Sequence, residues 1–281
     1  GIPVFSYIPP SAWAWRKGRA KSCARVADEI VAIFPHELPP YEAAGANISF
    51  VGNPLIDTVR AEMGEEEARR HFGVTDGEIP VLLMPGSRRE EIERLLPPML
   101  GAAEILVARD SMRRFFLPVA GGVDTAQIQR HLAASSVEVT LTHDARYALM
   151  GIARAAIAAS GTVIMEAAIM GLPAVVLYRM SALSYLIGRL LVDVPRFSLP
   201  NILLGETFET ELLQDAVQPE RIAAAMEDII ADGAARDYVT EHLARAVAVL
   251  GEPNAARRVA EKILALARSH GRAADENVQC S

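Results

Sequence analysis

Short apolar segments with the composition of β-strands alternate with helical segments over most of this 281-residue chain. This alternation is typical of an α/β fold with a parallel sheet, because a crossover helix usually connects each parallel strand to the next. Strands are predicted near Val4–Ile8, Glu29–Phe34, Ile48–Val51, Val81–Met84, Phe115–Val119, Val137–Leu141, Ala155–Ala158 and Ala174–Leu177. Helices are predicted in most of the gaps, notably at Glu90–Ala108, Ala126–Ala133, Val163–Met170 and Leu183–Leu191. The segment Glu209–Ser269 is predicted to contain helices only.

The clearest domain boundary lies between Gly64 and Pro80, where a charged run precedes a new strand. We therefore predict a first domain at residues 1–64, a second at 65–205, C-terminal helices at 206–270 and a disordered tail at 271–281. The first domain holds only three of the predicted strands, which is few for an independent core. The chain also begins on Gly1 without a methionine, so we expect this domain to be incomplete at its N-terminus.

The composition argues against several classes of protein. The chain has 28 Lys and Arg against 35 Asp and Glu, a net charge of −7, so nucleic acid is not expected as the main partner. The two cysteines, Cys23 and Cys280, form neither a disulfide framework nor a metal-binding pattern, which indicates a reducing compartment. No run of about 18 uncharged apolar residues is present to span a membrane. The glycine signatures of NAD-binding folds and of P-loops are absent as well.

A tight turn joins the predicted strand Val81–Met84 to the helix that follows it. The turn contains Gly86, Ser87 and Arg88, and turns of this kind aim unpaired helix N–H groups at the space above the sheet, where anions bind. Ser87 can cap the helix or donate a hydrogen bond, and Arg88 can bind phosphate oxygens through its forked guanidinium. An ordinary turn, with Ser87 as the N-cap and Arg88 solvated, explains these residues equally well.

A second turn of the same kind, Ser160-Gly161-Thr162, follows the predicted strand Ala155–Ala158. Gly161 allows a ligand to approach the backbone closely. Glu166 lies one turn into the next helix, which is apolar on every side, so its carboxylate is predicted to be buried and to need a partner. The favoured partner is the diol of a ribose, a common use of acidic residues near nucleotide-binding turns. The alternative is an ion pair with a nearby arginine such as Arg179.

Two further segments combine apolar and basic residues. The predicted helix Leu183–Leu191 lies among sparse arginines, and a core helix with charged edges is preferred over an interfacial membrane surface. These arginines are Arg179, Arg189 and Arg196. Near the N-terminus, Trp13 and Trp15 lie close to five basic residues. A lipid headgroup boundary or a sugar-stacking wall explains the tryptophans as well as a solvated helix face with one anchored tryptophan does.

Six short segments form a pattern that covers nearly 200 residues. They are Pro10–Arg16, Phe50–Leu55, Met84–Arg88, Ala159–Thr162 with Glu166, Tyr178–Met180 and Ser198–Asn201. Together they resemble the lipid-A-disaccharide synthase family, glycosyltransferases of lipopolysaccharide biosynthesis. The resemblance covers nearly the whole chain and is weaker after Gln214. One position departs from the family pattern, because Asn53 stands where a histidine is usual.

The resemblance implies a GT-B fold, in which two Rossmann-like domains face a cleft. It also implies transfer of a sugar from UDP-2,3-diacylglucosamine to the 6-hydroxyl of 2,3-diacylglucosamine 1-phosphate, with inversion, giving a β-1,6 disaccharide and UDP. No metal or other cofactor is implied, since helix N-termini and arginine can neutralise the leaving diphosphate. The family's candidate base, an aspartate, would precede Gly1. The catalytic residue is therefore unknown here, and the chain alone is expected to bind UDP without forming disaccharide.

The resemblance assigns further roles by position. Gly86, Ser87, Arg88 and the turn 160–162 are expected to hold the diphosphate of the UDP-sugar, and Glu166 its ribose. Additional active-site contacts are expected from Arg179, Asn201 and Asn53. The family forms a dimer that exchanges C-terminal segments, so Asn201 is expected to serve the partner's site. From the residues alone, Asn201 is equally well a simple turn residue after a proline.

The implied setting is the cytoplasmic face of the inner membrane of a Gram-negative bacterium, with peripheral binding to that surface and a homodimeric assembly. Two other functions stay open at the level of sequence. One is a UDP-sugar epimerase on a similar scaffold, which would not need the apolar surfaces of Trp13, Trp15 and Leu183–Leu191. The other is a non-catalytic nucleotide-binding fragment, which turnover by a longer chain but not by this one would distinguish.

Overall fold

The structure is a computed structural model that describes residues 2–12, 18–181 and 195–279, with side chains as far as His270. The predicted helix Leu183–Leu191, with Arg189, lies outside the described residues, as do Trp13 and Trp15.

The described residues form nine β-strands and twelve α-helices. The strands are β1 (Phe5–Tyr7), β2 (Glu29–Ala32), β3 (Ile48–Phe50), β4 (Ile79–Met84), β5 (Arg113–Pro118), β6 (Val139–Thr142), β7 (Ala155–Ala159), β8 (Ala174–Tyr178) and β9 (Glu211–Leu213). The helices are α1 (Gly18–Ala24), α2 (Leu38–Glu42), α3 (Leu55–Thr58), α4 (Glu65–His71), α5 (Arg89–Arg109), α6 (Thr125–Leu132), α7 (Arg146–Ile152), α8 (Thr162–Ile169), α9 (Leu199–Leu204), α10 (Pro219–Ile230), α11 (Ala234–Ala248) and α12 (Ala255–Gln279).

The chain divides into two compact units. Among the described residues, the first comprises 2–12, 18–58 and 248–279, and the second comprises 59–181 and 195–247. The boundary thus falls six residues before the predicted end of the first domain at Gly64.

The C-terminal helix α12, most of which lies in the helical segment predicted at 206–270, belongs to the first unit. Arg258 donates to the carbonyl of Val51 at 2.6 Å, and Lys262 pairs with Glu29 at 2.6 Å. These contacts join residues more than 200 positions apart, so the helical periodicity of residues 206–270 could not predict them.

A parallel sheet of described residues, in the order β1-β2-β3, runs through the first unit. Its central strand β2 is buried at Ile30, Val31 and Ala32. Tyr41 of α2 is buried beside Ile30, and its hydroxyl donates to the carbonyl of Pro10 at 2.7 Å. The buried phenol thereby keeps a hydrogen-bond partner, which a polar group in a core requires.

The second unit is built on a sheet of described strands in the order β6-β5-β4-β7-β8-β9, all parallel. The central strands β4 and β7 are buried apart from the partly exposed Ile79, as their continuous apolar sequences predict for strands packed on both faces. The chain winds outward from β4 in one direction and from β7 in the other. In such sheets the crevice at the carboxyl ends of the two strands where the order reverses is where ligands bind.

Two elements differ from the sequence prediction. Strand β9 lies within the segment predicted to be helical only, where Leu213 pairs with Tyr178 of β8 at the edge of the sheet. Three residues are too short for a strand pattern to be seen, and the pairing partner determines their conformation. Helix α12 continues to Gln279, through most of the predicted disordered tail. A single glycine, Gly271, costs a helix only about 1 kcal/mol, and good helix formers follow it.

A buried ion pair fixes the start of β5 to α10 in the second unit. The Arg113 side chain is 8% exposed and donates to both carboxylate oxygens of Glu227, at 2.8 and 2.6 Å. The hydrogen bonds from Arg113, with those from Arg109, lower the pKa of Glu227 despite its partial burial. A carboxyl group with a lowered pKa stabilises the fold at neutral pH and loses that contribution as the pH falls through its folded-state pKa.

We expect Glu227→Gln to lower the free energy of unfolding at pH 7 by about 1–3 kcal/mol, because it leaves Arg113 buried without its carboxylate. The difference from the parent protein should shrink at an acid pH below the lowered folded-state pKa of Glu227, where the carboxylate is protonated in both folded and unfolded chains. Urea titrations at both pH values measure it. Glu90→Gln is the control, since Glu90 forms an exposed pair with Arg94 at 3.4 Å. Equal losses for the two variants would contradict the assignment.

Candidate functional site

A cavity of about 710 Å³ lies at the carboxyl ends of β4, β5, β6 and β7 in the second unit. It occupies the position where the strand order reverses, between β4 and β7. All seven residues predicted to bind the UDP-sugar line it, namely Gly86, Ser87, Arg88, Ser160, Gly161, Thr162 and Glu166. The fold therefore brings two turns that are more than 70 residues apart in sequence into one site.

The first turn has a backbone that only glycine adopts easily. Gly86 has a φ of +101°, and a Cβ at this position would collide with the carboxylate of Glu91. Helix α5 begins at Arg89, so its N-cap is Arg88 and not Ser87. The backbone N–H of Arg88 donates to Glu91 at 3.3 Å. Glu91 thus folds back over the turn and ties its backbone to the helix.

The Arg88 guanidinium lies on the surface of the site. Its side chain is 82% exposed and pairs with Glu91 at 2.6 Å. A surface ion pair of this kind is worth at most about 1 kcal/mol, so the guanidinium can turn toward an anion at little cost. Arg88 is therefore solvated in this structure, as the interpretation of an ordinary turn predicted. It also lines the cavity and is within reach of a ligand there.

The second turn leaves open space above its backbone. The hydroxyl of Ser160 donates to the carbonyl of Phe197 at 2.8 Å, so it is already used within the protein. Gly161 is fully extended, with a φ of 168°, and a Cβ there would meet no other protein atom within 4 Å. Thr162 then begins α8. The space beside Gly161 belongs to the cavity and is free to receive a ligand.

Helices α5 and α8 both begin at this cavity, since α5 follows β4 and α8 follows the neighbouring strand β7. The first N–H groups of a helix have no partner within the helix, and the aligned peptide dipoles add about half a positive charge there. Two such ends beside one cavity favour an anionic ligand, and a diphosphate carries enough oxygens to reach both.

Glu166 faces the cavity from the first turns of α8 and is nearly buried. Its Oε2 lies 3.0 Å from a terminal nitrogen of Arg146, in an ion pair without the alignment of a hydrogen bond. Burial raises the pKa of Glu166, while Arg146 and the hydroxyl of Tyr147 oppose part of that rise. The predicted arginine partner therefore exists, but it is Arg146 and not Arg179.

Several residues of the cavity were not foreseen from the sequence. They follow β5 and β6 and include Val119, Ala120, Gly121, His143, Asp144 and Arg146. The carboxyl ends of parallel strands meet at one edge of a sheet, so the predicted ends of these strands at Val119 and Leu141 already pointed to this neighbourhood. The sequence gives no comparable signal for Glu62, which reaches the cavity from a segment before α4.

Arg179 and Asn201 do not line the cavity. Asn201 is fully buried, and its side-chain amide donates to Glu211 Oε1 at 2.7 Å and to the carbonyl of Glu209 at 2.9 Å. Its side-chain oxygen accepts from the N–H groups of Phe208 and Glu209 at 3.0 and 3.1 Å. In this structure Asn201 holds the segment leading into β9, and its contact with substrate stays a prediction.

Asn53 belongs to the first unit and is fully buried. Its side chain donates to the carbonyl of Ile33 at 2.8 Å and accepts from the N–H of Leu55 at 2.9 Å. These bonds join the end of β2 to the start of α3, so the amide has a structural use within the unit. Whether it also contacts substrate stays a prediction.

The described residues contain neither a cluster of potential metal ligands nor a membrane-spanning helix. No group of three or more His, Cys, Asp or Glu side chains is arranged to hold a metal ion in residues 2–12, 18–181 and 195–279. In the same part of the chain, no helix combines the length and the apolar character needed to cross a membrane.

Solved structures share this architecture. A UDP-GlcNAc 2-epimerase from Neisseria meningitidis, bound to UDP-GlcNAc, covers 94% of this chain and 70% of its own with a TM-score of 0.65 and 14% identity. MurG from Acinetobacter baumannii covers 94% and 67% with a TM-score of 0.54 and 18% identity. At such identities the likeness shows the fold alone. It confirms the predicted α/β fold of GT-B type.

Sequence comparisons identify the family. The profile described as "Lipid-A-disaccharide synthetase" matches residues 2–265. The lipid-A-disaccharide synthase of Syntrophus aciditrophicus is 43% identical over 267 residues, which is 95% of this chain and 70% of that protein. The enzyme of Geobacter sulfurreducens is 41% identical over 94% of this chain and 69% of its own length. These matches favour a transferase over the epimerase alternative, and the chain belongs to the lipid-A-disaccharide synthase family, whose members are hexosyltransferases of lipid A biosynthesis.

Proposed function

We propose that the cavity of the second unit binds the UDP part of UDP-2,3-diacylglucosamine during sugar transfer to 2,3-diacylglucosamine 1-phosphate. The products are the β-1,6-linked disaccharide and UDP. The observation that carries the proposal is the convergence of two strand-to-helix turns and a buried carboxylate on one cavity. Family membership supplies the reaction, and the geometry supports the place of the donor nucleotide within it.

The diphosphate is assigned to the turns 86–88 and 160–162. Negative charge grows on the leaving UDP as the glycosidic bond breaks, and donors that are already aimed at that charge lower the barrier. The N-termini of α5 and α8 are fixed in this way by the sheet, and Arg88 supplies a mobile positive charge. Gly161 leaves the backbone of its turn accessible to phosphate oxygens, whereas the positive φ of Gly86 shapes the first turn beneath the Glu91 carboxylate.

The ribose is assigned to Glu166. An ionised carboxylate accepts two hydrogen bonds, which matches the two hydroxyls of a ribose diol. Its place one turn into α8 puts it deeper in the same cavity as the phosphate-binding turn. No residue of the cavity is assigned as the base that accepts the proton of the attacking hydroxyl, a step that an inverting transfer requires.

We expect Glu166→Gln to weaken UDP binding about 10- to 100-fold, the range for losing hydrogen bonds to a charged group. Binding of inorganic pyrophosphate should change little, because it has no ribose. Isothermal titration calorimetry on the 281-residue chain measures both ligands. Glu241→Gln, an exposed site on α11, is the control. If UDP and pyrophosphate weaken to the same extent, Glu166 supports the structure and does not bind ribose.

Gly161→Ala tests the place of the diphosphate. The alanine should not lower thermal stability, because the backbone is extended and its methyl group meets no protein atom within 4 Å. It should weaken UDP and pyrophosphate by at least about tenfold, since the methyl takes the space of a phosphate. Gly151→Ala is the matched control, because Gly151 lies in α7 and does not line the cavity. Unchanged affinity in Gly161→Ala would place the diphosphate elsewhere.

We also propose that the protein acts in the cytoplasm, bound peripherally to the inner membrane of a Gram-negative bacterium. Both substrates carry acyl chains, and the sequence places basic residues such as Arg19, Lys21 and Arg25 near Trp13 and Trp15. Basic residues beside aromatic ones favour shallow binding to anionic lipid.

The chain should therefore sediment with vesicles of anionic phospholipid at low salt and leave them at high salt, because screening weakens the attraction. Vesicles of zwitterionic phospholipid are the control and should retain much less protein. A chain that stays in the supernatant with both kinds of vesicle at low salt would contradict peripheral binding.

A homodimer with exchanged C-terminal segments is proposed from the family resemblance. Within one chain, the side chains of α12 that are described contact the first unit, for example Arg258 with Val51. The same contacts would form between two copies if the segment were exchanged. Sedimentation velocity decides between a monomer and a dimer.

A further inference from the structure

Arg146 interacts electrostatically with two of the acidic residues that line the cavity. Its guanidinium forms the ion pair with Glu166 at 3.0 Å, and the negative charge of Glu62 also acts on it. The three residues come from three different places, namely the segment before α4, the start of α7 and α8. All three line the cavity.

The surroundings of Arg146 hold its side chain in one direction. A terminal nitrogen of Arg146 donates to the hydroxyl of Tyr147 at 2.6 Å, and the guanidinium carbon lies 4.7 Å from the centre of that ring. Stacking and a hydrogen bond together restrict a side chain that would otherwise have several rotamers.

The backbone at the base of Arg146 is fixed as well. Ala145 precedes it in the left-handed conformation, with a φ of 44°, and offers no side-chain cap to α7. Glu62 supplies that cap instead, since its Oε2 accepts from the N–H of Ala148 at 2.7 Å. The left-handed conformation is unfavourable for an alanine, so the surrounding contacts must offset its cost. The start of α7 is thus built to present Arg146 to Glu166.

We propose that Arg146 is a positioning residue that holds the Glu166 carboxylate ready to accept the hydroxyls of a nucleotide ribose. This inference rests on the proposed function of the cavity and extends it to a residue that does not itself contact the sugar. Oε2 of Glu166 is buried and meets Arg146 in an ion pair, so the pair fixes one oxygen of the carboxylate and leaves the other to a ligand in the cavity.

Charge gives the inference a distinctive signature. Burial raises the pKa of Glu166, and Arg146 is the largest of the effects that oppose the rise. Without Arg146 the pKa should rise further, so less of the carboxylate is ionised as the pH falls toward it, and ribose binding weakens. The other charged or titratable groups that line the cavity are Glu62, Arg88, Glu91, His143 and Asp144. These groups are present in both the parent and the variant, and both proteins bind the same ligand. The titration of these groups and of UDP therefore largely cancels in the ratio of the two UDP affinities.

The test compares UDP affinity in Arg146→Ala, Arg146→Lys and the parent chain by calorimetry at about pH 6 and about pH 8. Arg146→Ala should bind UDP about threefold more weakly than the parent at the higher pH. At the lower pH, where more of its Glu166 is protonated and unable to accept hydrogen bonds as a carboxylate, it should bind UDP at least about tenfold more weakly. Arg146→Lys keeps the positive charge, so its ratio to the parent should stay nearly the same at both pH values. Arg94→Ala is the control, since it removes an arginine from another Glu pair of the second unit.

A double variant separates this role from a merely structural one. In a chain that already carries Glu166→Gln, Arg146→Ala should have no further effect on UDP affinity, because the group on which Arg146 acts is gone. If Arg146→Ala does not fold, Arg146→Gln takes its place in both comparisons. A pH-independent ratio, or an undiminished effect in the Glu166→Gln background, would overturn the inference. If Glu166→Gln weakens UDP and Arg146→Ala behaves like the control, the inference alone fails; if the parent chain does not bind UDP, the proposed function fails with it.

Discussion

The pairing of β4 with β7 is the contact on which the proposed site depends. In parallel register, Met84 lies beside Ala158, so the turns that follow the two strands leave the sheet at the same edge. The chain then enters a helix after each turn, and two helix N-termini are directed at one cavity. Neither turn alone distinguishes an anion site from an ordinary connection. Their juxtaposition favours the proposed anion site, since a diphosphate needs several donors at once.

Glu166 brings an electrostatic cost that the rest of the cavity offsets. A carboxylate on a helix with apolar neighbours loses most of its hydration, which raises its pKa. The positive charge of Arg146 and the hydroxyl of Tyr147 both favour its ionised form. In the proposed function, the positive ends of α5 and α8 attract the diphosphate, so one cavity serves both ends of the nucleotide. Hydrophobic packing around β4 and β7 keeps these groups in place.

Local sequence patterns were sufficient to predict the α/β fold, most strand positions, both strand-to-helix turns and the burial of Glu166. Apolar runs and glycine-containing turns are local, and an acidic residue in an apolar helix is visible without a structure. The partner of Glu166 was not visible, because Arg146 lies 20 positions earlier in a segment with no distinctive pattern. The three-residue strand β9 and the return of α12 to the first unit depend on pairing partners far along the chain. Asn53 and Asn201 lie in family-like motifs, yet hydrogen bonds within the protein account for their buried amides.

A crystal structure of the 281-residue chain with UDP tests the central claim most directly. The account predicts phosphate oxygens about 3 Å from backbone N–H groups in both turns, 86–88 and 160–162, and ribose hydroxyls at the same distance from the Glu166 carboxylate. Arg146 should remain beside that carboxylate. A diphosphate bound outside this cavity, or in contact with only one of the two turns and with the ribose turned away from Glu166, would contradict it.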